Sequence, residues 1–424
     1  MSVYNNSSLD IAEALAEAPL VVKGGGAPEF YRKPGWNLLR EDVSLPAAVL
    51  YRSKLENNLH WMQRFAEKRR VSLAPHGKTT MAPALFARQM AAGSWAMTLA
   101  TATQVSVAHR FGVRRVIMAN QLVGQRNMAI ISELLAKGLL DFYCLVDSVD
   151  NLRELARFFG ARNQSLQVLI EIGVPGGRCG ARTPEEVQVL VEEIARNPVI
   201  QLAGLETYEG VIKGDNLPER IRSHVVMVKD LCLDLLARDA FDTQKIVLTG
   251  AGSAWYDIVA EVFGEELHPR IIPVIRPGCY IVHDQGLCMH NQDNLMARCG
   301  LDAEVDGNLQ SALEIWAYVQ SIPEPGQAVI GLGKRDVAFD AGLPVANLHY
   351  RPGNAAPVAA SAQWQVVSMM DQHAAMTFPV GDDLRVGDIL ALGTSHPCLT
   401  FDKWQQMCIV DDQYNVVDLV RTFF

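Results

Sequence analysis

The sequence predicts an α/β protein in which a closed (β/α)8 barrel of the TIM type is followed by an antiparallel β domain. Between residues 71 and 275, short apolar runs alternate with segments of helical periodicity. Eight such strand-helix units within about 205 residues are what a closed barrel requires. After Pro277 the pattern changes to alternating apolar and polar residues broken by Pro-Gly and Asp-Asp pairs, which indicates antiparallel strands.

The barrel strands and helices are predicted from local patterns taken in chain order. The predicted strands are Val71–Pro75, Ala96–Ala100, Arg115–Ala119, Phe142–Val146, Gln167–Ile172, Gln201–Glu206, Lys245–Thr249 and Ile271–Ile275. The predicted helices are Ala82–Ala92, Thr103–Phe111, Gln125–Lys137, Val149–Phe159, Pro184–Arg196 and Leu217–Ala237. The start Thr183-Pro184-Glu185-Glu186 supplies an N-cap, a proline in the first turn and acidic residues that favour a helix N-terminus.

The C-terminal part of the chain is predicted to form an antiparallel β domain. Its predicted strands are Leu313–Ser321, Ala328–Leu332, Gln365–Met369, Ile389–Leu392, Gln406–Val410 and Val416–Val420. We assign residues 46–280 to the barrel and residues 1–45 together with 281–424 to the β domain. The first 45 residues lack barrel patterns and contain a Gly24-Gly25-Gly26 hinge, so we expect them to pack on the β domain.

The composition excludes several classes of protein. The 424 residues are 49% hydrophobic and 20% charged, with a net charge of -9, which argues against a nucleic-acid surface. No apolar stretch is long enough to span a membrane, and residues 1–19 lack the pattern of a signal or transit peptide. The eight cysteines form no CxxC pair, so we expect a cytoplasmic protein with reduced thiols.

A lysine at the mouth of the predicted barrel is the first candidate for chemistry. Lys78 lies in Pro75-His76-Gly77-Lys78-Thr79-Thr80, directly after the first predicted strand. Desolvation near apolar walls lowers the pKa of a lysine, which suits an amine that attacks an aldehyde and carries a proton. These are the requirements of a pyridoxal phosphate Schiff base, although most lysines at strand ends are solvated charges.

Other unusual residues follow later strands and would meet at the same rim, where barrel enzymes build their active sites. Arg178 follows strand five and Tyr208 strand six. Thr249-Gly250-Ala251-Gly252-Ser253 follows strand seven, and Arg276-Pro277-Gly278-Cys279 follows strand eight. Backbone amides of such glycine-rich turns can bind a phosphate. Each feature also has a simpler explanation. The glycine-rich segment could be only a tight turn, Arg178 a surface arginine and Tyr208 a core tyrosine.

A histidine and a cysteine in the β domain form a candidate metal pair. His396-Pro397-Cys398 follows the apolar run Ile389–Leu392 and the turn Gly393-Thr394-Ser395, so both side chains can emerge from one loop. Imidazole and thiolate together favour zinc. The alternative is an ordinary loop.

These motifs together resemble the D-serine dehydratase and D-threonine aldolase family of fold-type III pyridoxal phosphate enzymes, relatives of the alanine racemase N-terminal barrel. The segments that carry the resemblance are Val49–Lys78, Arg178-Cys179-Gly180, Ala203–Gly210, Thr249–Ser253, Arg276–Asp284 and His396-Pro397-Cys398. The resemblance covers the chain from about Pro46 to its end.

The resemblance implies a role for each candidate residue. Lys78 would form the Schiff base with pyridoxal 5'-phosphate, and Arg178 would contact the phenolate side of the cofactor. Either Tyr208 or Arg276 would contact the pyridine nitrogen. The remaining cofactor-binding residues, by the same resemblance, are His76, Thr249, Gly250, Gly252, Ser253, Gly278 and Cys279.

The resemblance also implies a reaction. In the family that the chain resembles, the zinc-dependent dehydratases have His-x-Cys where the aldolases have His-x-Asp. Cys398 therefore favours zinc-assisted dehydration and deamination of a D-β-hydroxy amino acid to a keto acid and ammonia. A retro-aldol enzyme, a racemase with Tyr350 as second base and a non-catalytic cofactor-binding protein are the alternatives. The D-configuration and a homodimer are expected from the resemblance alone.

Overall fold

Two β-sheets organise the part of the chain that this computed structural model describes, residues 23, 35–299 and 305–424. In chain order the strands are β1 Ala47–Tyr51, β2 Ser72–Leu73, β3 Met97–Leu99, β4 Arg115–Gln121, β5 Asp141–Val146, β6 Leu166–Ile172, β7 Ile200–Thr207, β8 Ile246–Gly250, β9 Ile271–Ile275, β10 Leu313–Glu324, β11 Gln327–Ile330, β12 Val345–Tyr350, β13 Val358–Ala359, β14 Gln365–Met369, β15 Ala374–Thr377, β16 Ile389–Gly393, β17 Gln406–Val410 and β18 Val416–Arg421.

Helices follow most strands of the first sheet. The α-helices are Arg52–Lys68, Pro83–Ala91, Ala102–Arg110, Gln125–Ala136, Val149–Gly160, Pro184–Ala195, Leu217–Ala237, Tyr256–Phe263, Leu287–Cys299 and Cys398–Phe401. Short 3-10 helices span Leu38–Arg40, Gly77–Thr79, Glu209–Val211 and Cys279–Ile281. Three of these short helices come just after β2, β7 and β9, so they hold rim residues close to the strand ends.

The first sheet is an eight-stranded parallel barrel with the order β2-β9-β8-β7-β6-β5-β4-β3. The seam between β2 and β3 is closed by a parallel bridge between His76 and Thr98 and by a hydrogen bond of 2.8 Å from the Thr98 amide to the Pro75 carbonyl. The predicted barrel is confirmed. Its interior is a separate apolar cluster of Ala74, Ala96, Ile117, Tyr143, Leu145, Leu169, Ala203, Val247 and Val274.

Local capping explains where several barrel helices begin. The side-chain oxygens of Thr101, Ser148 and Thr183 each accept a hydrogen bond from the backbone amide three residues further along. Each bond pairs one of the amides that a helix N-terminus leaves without an intrahelical partner. The helix start predicted at Thr183 is one of them.

The second sheet has ten strands and is mixed rather than purely antiparallel. β1 pairs in parallel with β17, with Val49 opposite Cys408, and antiparallel with β10, with Val49 opposite Glu314. The other neighbours in this sheet are antiparallel, as predicted. β1 lies inside residues 46–280, which were assigned to the barrel, but it pairs with strands of the second sheet. The division of the chain into two domains at residues 46 and 280 stays a prediction.

A helix occupies part of the region in which the sequence predicts strands. Leu287–Cys299 is helical, and the buried Asp284 carboxylate accepts hydrogen bonds of 2.7 and 2.9 Å from the amides of Gly286 and Cys288. This carboxylate pairs amides of the first turn, which stabilises a helix in a segment for which neither a strand nor a helix was predicted.

The described residues before β1 pack on the second sheet. Trp36, Leu38 and Val43 are buried in one apolar cluster with residues of β1, β10, β16 and β17. The Gly24-Gly25-Gly26 hinge lies outside the described residues. None of the described helices combines the length and the apolar character that a membrane span needs.

Gly204 tests the packing of adjacent barrel strands. A Cβ on Gly204 would collide with the Val247 carbonyl on β8. We expect Gly204→Ala to lower the free energy of unfolding by about 2–4 kcal/mol through overpacking and backbone strain. Gly160→Ala is the matched control, because its Cβ would lie 3.8 Å from Val199 in ordinary contact. Urea unfolding measures both; a Gly204→Ala protein as stable as Gly160→Ala would contradict this packing.

Candidate active site

A cleft of about 610 Å³ opens at the carboxyl ends of the barrel strands, beneath the loop that follows β16. This loop belongs to the β domain built around the second sheet, called the second domain below. All but two of the predicted site residues line it. They are His76, Lys78, Arg178, Tyr208, Gly252, Ser253, Arg276, Gly278, Cys279, His396 and Cys398. The structure therefore brings five barrel loops and the His396–Cys398 loop to one place.

The two exceptions are Thr249 and Gly250, which lie in β8 beneath the cleft. The buried Thr249 hydroxyl donates a hydrogen bond of 3.0 Å to the Val274 carbonyl on β9. A Cβ on Gly250 would contact the Val259 and Thr207 side chains. Both residues thus shape the core that supports the rim.

Lys78 lies on the 3-10 helix that follows β2, and its side chain is exposed to the cleft. Gly77 lets this turn pack against the Phe86 ring, because a Cβ there would lie 2.8 Å from the ring. In the described part of the chain, the Lys78 amine has no hydrogen-bond or ion-pair partner. It is therefore available to a ligand.

His76 carries a polar atom that the described protein groups leave unpaired. Its Nδ1 is buried without a hydrogen-bond partner. Burial lowers the pKa of His76 well below its ordinary value, and the charges of Lys78 and Arg276 act in the same direction. A neutral imidazole with a buried unpaired nitrogen beside Lys78 fits a site that a bound group completes.

A buried ion pair lies at the base of the cleft. Arg276 donates to the Glu206 carboxylate and also, over 3.1 Å, to the Thr207 carbonyl. Burial raises the pKa of Glu206, whereas the Arg276 charge opposes that rise. Sequence reasoning missed Glu206, although a carboxylate within the apolar run 203–206 was a signal that a buried cation would pair with it.

A second buried carboxylate changes the predicted phosphate site. Glu209 accepts hydrogen bonds of 3.0 Å from the amides of both Ala251 and Gly252. The Gly252 amide, predicted to bind phosphate, is therefore already paired. Among the described residues, the amides of Ser253, Ala254 and Gly278 have no hydrogen-bond acceptor and remain for an anion.

The glycines of these loops are required by protein packing. A Cβ on Gly252 would lie 2.8 Å from the Tyr208 ring, and a Cβ on Gly278 would lie 2.6 Å from the His76 carbonyl. Gly278 thus lets the loop after β9 pack directly on the loop that carries Lys78. Gly252 and Gly278 both lie at the rim, as predicted. Close contacts with Tyr208 and His76 are enough to explain why both positions are glycine.

Arg178 and Cys179, in the loop after β6, line another side of the cleft. The exposed Arg178 guanidinium lies 4.8 Å from the centre of the Tyr208 ring. Nearby, Asp147, Glu171 and Cys179 bring three ligand atoms within 4.8 Å of one another. Burial, followed by the charge of Glu206, raises the pKa of Glu171 to about 7.

The candidate metal pair, His396 and Cys398, enters the cleft from the second domain. His396 Nδ1 lies 2.7 Å from an Asp340 carboxylate oxygen, and Cys398 Sγ lies 3.6 Å from Cys279 Sγ. Hydrogen bonds to Cys398 and Asp340 raise the pKa of His396 to about 9. Asp340 was not predicted, because no local pattern links it to His396.

Tyr350, the candidate second base of a racemase, lies elsewhere in this chain. Its buried hydroxyl donates to the Leu39 carbonyl over 3.0 Å, and Tyr350 is not among the residues lining the cleft.

The residues of the cleft fit both groups that the sequence predicts. An unpaired amine and three unpaired amides suit an aldehyde that also carries a phosphate. An imidazole oriented by a carboxylate, beside two thiols, suits a soft divalent metal ion.

Two family profiles match the sequence. The profile described as "Alanine racemase, N-terminal domain" matches residues 51–258, and the profile described as "Putative serine dehydratase domain" matches residues 312–410. The chain joins an alanine racemase N-terminal domain to a D-serine dehydratase-like domain. The predicted family is thereby confirmed.

Individual relatives extend this similarity to most of the chain. It is 23% identical over 384 residues to the D-threonine aldolase of Arthrobacter sp., covering 90% of this chain and 92% of the aldolase. It is 26% identical over 182 residues to the D-threo-3-hydroxyaspartate dehydratase of Delftia sp. strain HT23, covering 43% of this chain and 47% of that relative.

Solved structures confirm the fold. D-threonine aldolase from Filomicrobium marinum superposes with a TM-score of 0.73 at 21% identity, covering 92% of this chain and 97% of the aldolase. A cysteine-to-alanine variant of D-threo-3-hydroxyaspartate dehydratase, in a metal-free form, superposes with a TM-score of 0.71 at 18% identity. The match covers 92% of this chain and 99% of the dehydratase. The family profiles and the curated relatives together support a fold-type III pyridoxal phosphate enzyme of the D-threonine aldolase and D-hydroxyaspartate dehydratase group.

Glu209 should hold the turn after β8 in place. We expect Glu209→Ala to leave the Ala251 and Gly252 amides unpaired, at a cost of about 1–3 kcal/mol for each buried group, and to weaken retention of pyridoxal phosphate. Glu209→Gln keeps one acceptor oxygen, so its stability and its cofactor retention should lie between those of the parent and of Glu209→Ala. Cofactor remaining after dialysis and urea unfolding report the effects. Retention and stability equal to the parent in Glu209→Ala would show that the carboxylate does not organise the turn.

Proposed function

We propose that this protein dehydrates and deaminates a D-β-hydroxy amino acid such as D-serine to a keto acid and ammonia. Lys78 would hold pyridoxal phosphate, and His396 with Cys398 would hold zinc. The observation that carries the proposal is the meeting of these residues in one cleft, although they come from different domains.

The barrel residues supply the cofactor side of this chemistry. Pyridoxal phosphate bound through its aldehyde to Lys78 supplies an electron sink for charge that develops at the substrate Cα. The Lys78 amine is the base that we assign to the Cα proton, since it faces the cleft without a partner in the described part of the chain. The amides of Ser253, Ala254 and Gly278 would bind the phosphate.

The second domain supplies the group that assists the departing hydroxyl. Asp340 accepts the Nδ1 hydrogen of His396, which leaves Nε2 as the ligand atom. Zinc on these residues supplies a Lewis acid for the β-oxygen. Loss of the Cα proton and of the β-hydroxyl as water leaves an unsaturated amine, which hydrolyses to the keto acid and ammonia.

The sulfur ligand supports dehydration. Structures of the similar D-threo-3-hydroxyaspartate dehydratase include a cysteine-to-alanine variant in a metal-free form and a histidine-to-alanine variant, with the two replaced residues two positions apart. His396 and Cys398 have the same spacing. A His-x-Cys pair is thus shared with a dehydratase.

Aldol cleavage is the second candidate, and the relatives favour it. The chain is similar over most of its length to a D-threonine aldolase, and over 310 residues it is 22% identical to a 3-hydroxy-D-aspartate aldolase of Paracoccus denitrificans. Such an enzyme would cleave Cα–Cβ and release glycine and an aldehyde. The products therefore decide between the two reactions.

The setting of the enzyme is also proposed. We expect a cytoplasmic homodimer that acts on small D-amino acids and binds neither nucleic acid nor membrane. The net charge of -9 supports the absence of a nucleic-acid partner.

The attachment of the cofactor to Lys78 can be tested directly. We expect the purified protein to be yellow, and borohydride should remove the visible band and fix the cofactor to the peptide that contains Lys78. Lys78→Ala should lack the band. The exposed Lys68 gives the matched control, Lys68→Ala, which should keep it. A visible band in Lys78→Ala that borohydride still abolishes would assign the attachment to another amine.

The reaction is tested by product analysis. We expect D-serine to yield pyruvate and ammonia, and D-threonine to yield 2-oxobutyrate and ammonia. A chelator or His396→Ala should abolish this activity while the yellow colour persists, because the barrel holds the cofactor. His60→Ala, at an exposed histidine of the helix Arg52–Lys68, is the control.

Other products have distinct meanings. Glycine and acetaldehyde from D-threonine would establish the aldolase instead. Undiminished deamination of D-serine in excess chelator would remove the metal from the mechanism.

A further inference from the structure

Two cysteines from different domains meet in the cleft. Cys279 follows β9 of the barrel and Cys398 begins a short helix of the second domain, yet their sulfur atoms lie 3.6 Å apart. Thr79, the residue after Lys78, lies beside both, with its hydroxyl oxygen 3.8 Å from Cys279 Sγ and 3.5 Å from Cys398 Sγ.

The spacing of the two sulfurs fits a shared metal ion. Two thiolates bound to one tetrahedral zinc ion at about 2.3 Å lie about 3.8 Å from each other. The separation of 3.6 Å in this structure is close to that value, so a zinc ion could bind both sulfurs with little movement of either loop.

We propose that Cys279 is a third protein ligand of the metal, so that the site is formed by His396, Cys398 and Cys279. This inference rests on the proposed function, whose metal it completes. Three protein ligands leave one position of a tetrahedral zinc ion open, which is the arrangement of catalytic zinc sites. The open position is where the substrate oxygen would bind.

The histidine has to move to complete the set. In the described structure, a ring nitrogen of His396 and the two sulfur atoms do not all lie within 4.8 Å of one another. The His396 side chain is already hydrogen-bonded to Cys398 and is 23% exposed, so its ring has room to turn toward Cys279.

Cys288 provides a matched control in the same cleft. It also lines the cleft and lies next to Cys279, but only Cys279 is in direct sulfur contact with Cys398. The proposal therefore distinguishes between two neighbouring thiols of the same type.

A metal bound in this way would also join the two domains. Cys279 belongs to a barrel loop and Cys398 to the second domain, so zinc would crosslink them across the cleft. Zinc should then raise the thermal midpoint of the holoprotein, and that rise should depend on Cys279.

The test counts sulfur atoms around zinc in the holoprotein, purified under reductant. X-ray absorption at the zinc edge should show two sulfurs at about 2.3 Å in the parent, two in Cys288→Ser and one in Cys279→Ser. Zinc affinity should fall in Cys279→Ser on the order of 100-fold or more, since even outer partners of a ligand are worth 10–100-fold. The zinc-dependent rise of the thermal midpoint should shrink in Cys279→Ser and persist in Cys288→Ser.

Each outcome identifies what fails. One sulfur in the parent, or two in Cys279→Ser, overturns the role of Cys279 and leaves the His396 and Cys398 pair intact. A parent that binds no zinc overturns both this inference and the metal of the proposed function. If Cys279→Ser does not fold, Cys288→Ser decides, because a loss of one sulfur there would assign the second ligand to Cys288.

Discussion

Close packing between the segment that follows β9 and the loop that follows β16 is the constraint on which the site depends. The amides of Gln285 and Leu287 donate to the carbonyls of Thr394 and Ser395 over 3.0 and 3.2 Å. Gly286, between them, approaches so closely that a Cβ would lie 2.7 Å from Ser395 Cα. These backbone contacts place the loop that begins at Thr394 over the cleft, so His396 and Cys398 face the residue that we expect to hold the cofactor.

Buried charges also tie together the loops on the barrel side of the cleft. Arg276 pairs with Glu206 below the cleft, and Glu209 binds two amides of the turn after β8. Removing one partner of such a buried pair leaves an uncompensated charge and costs about 3–5 kcal/mol. The positions of the loops after β7, β8 and β9 are therefore fixed before any ligand binds, and this pre-organisation lowers the cost of binding one.

Local patterns predicted the elements and the rim, and contacts between distant segments account for the rest. All eight barrel strands were predicted to within a few residues, because parallel strands buried on both faces appear as apolar runs. Lys78 was placed at the mouth because strand ends define the rim. Glu209 and the approach of Cys279 to Cys398 depend on pairs 42 and 119 residues apart, which no local pattern shows. The helix Leu287–Cys299 was not predicted, although the buried Asp284 carboxylate binds amides at its start.

The central claim is that cofactor and metal face each other across one cleft. A crystal structure of the zinc-loaded holoprotein, with anomalous data on both sides of the zinc edge, tests it most directly. We expect electron density continuous from Lys78 Nζ into the cofactor and one anomalous peak beside the sulfur of Cys398, on the side that faces Lys78. Zinc at Asp147, Glu171 and Cys179 instead, or cofactor density detached from Lys78, would contradict the account.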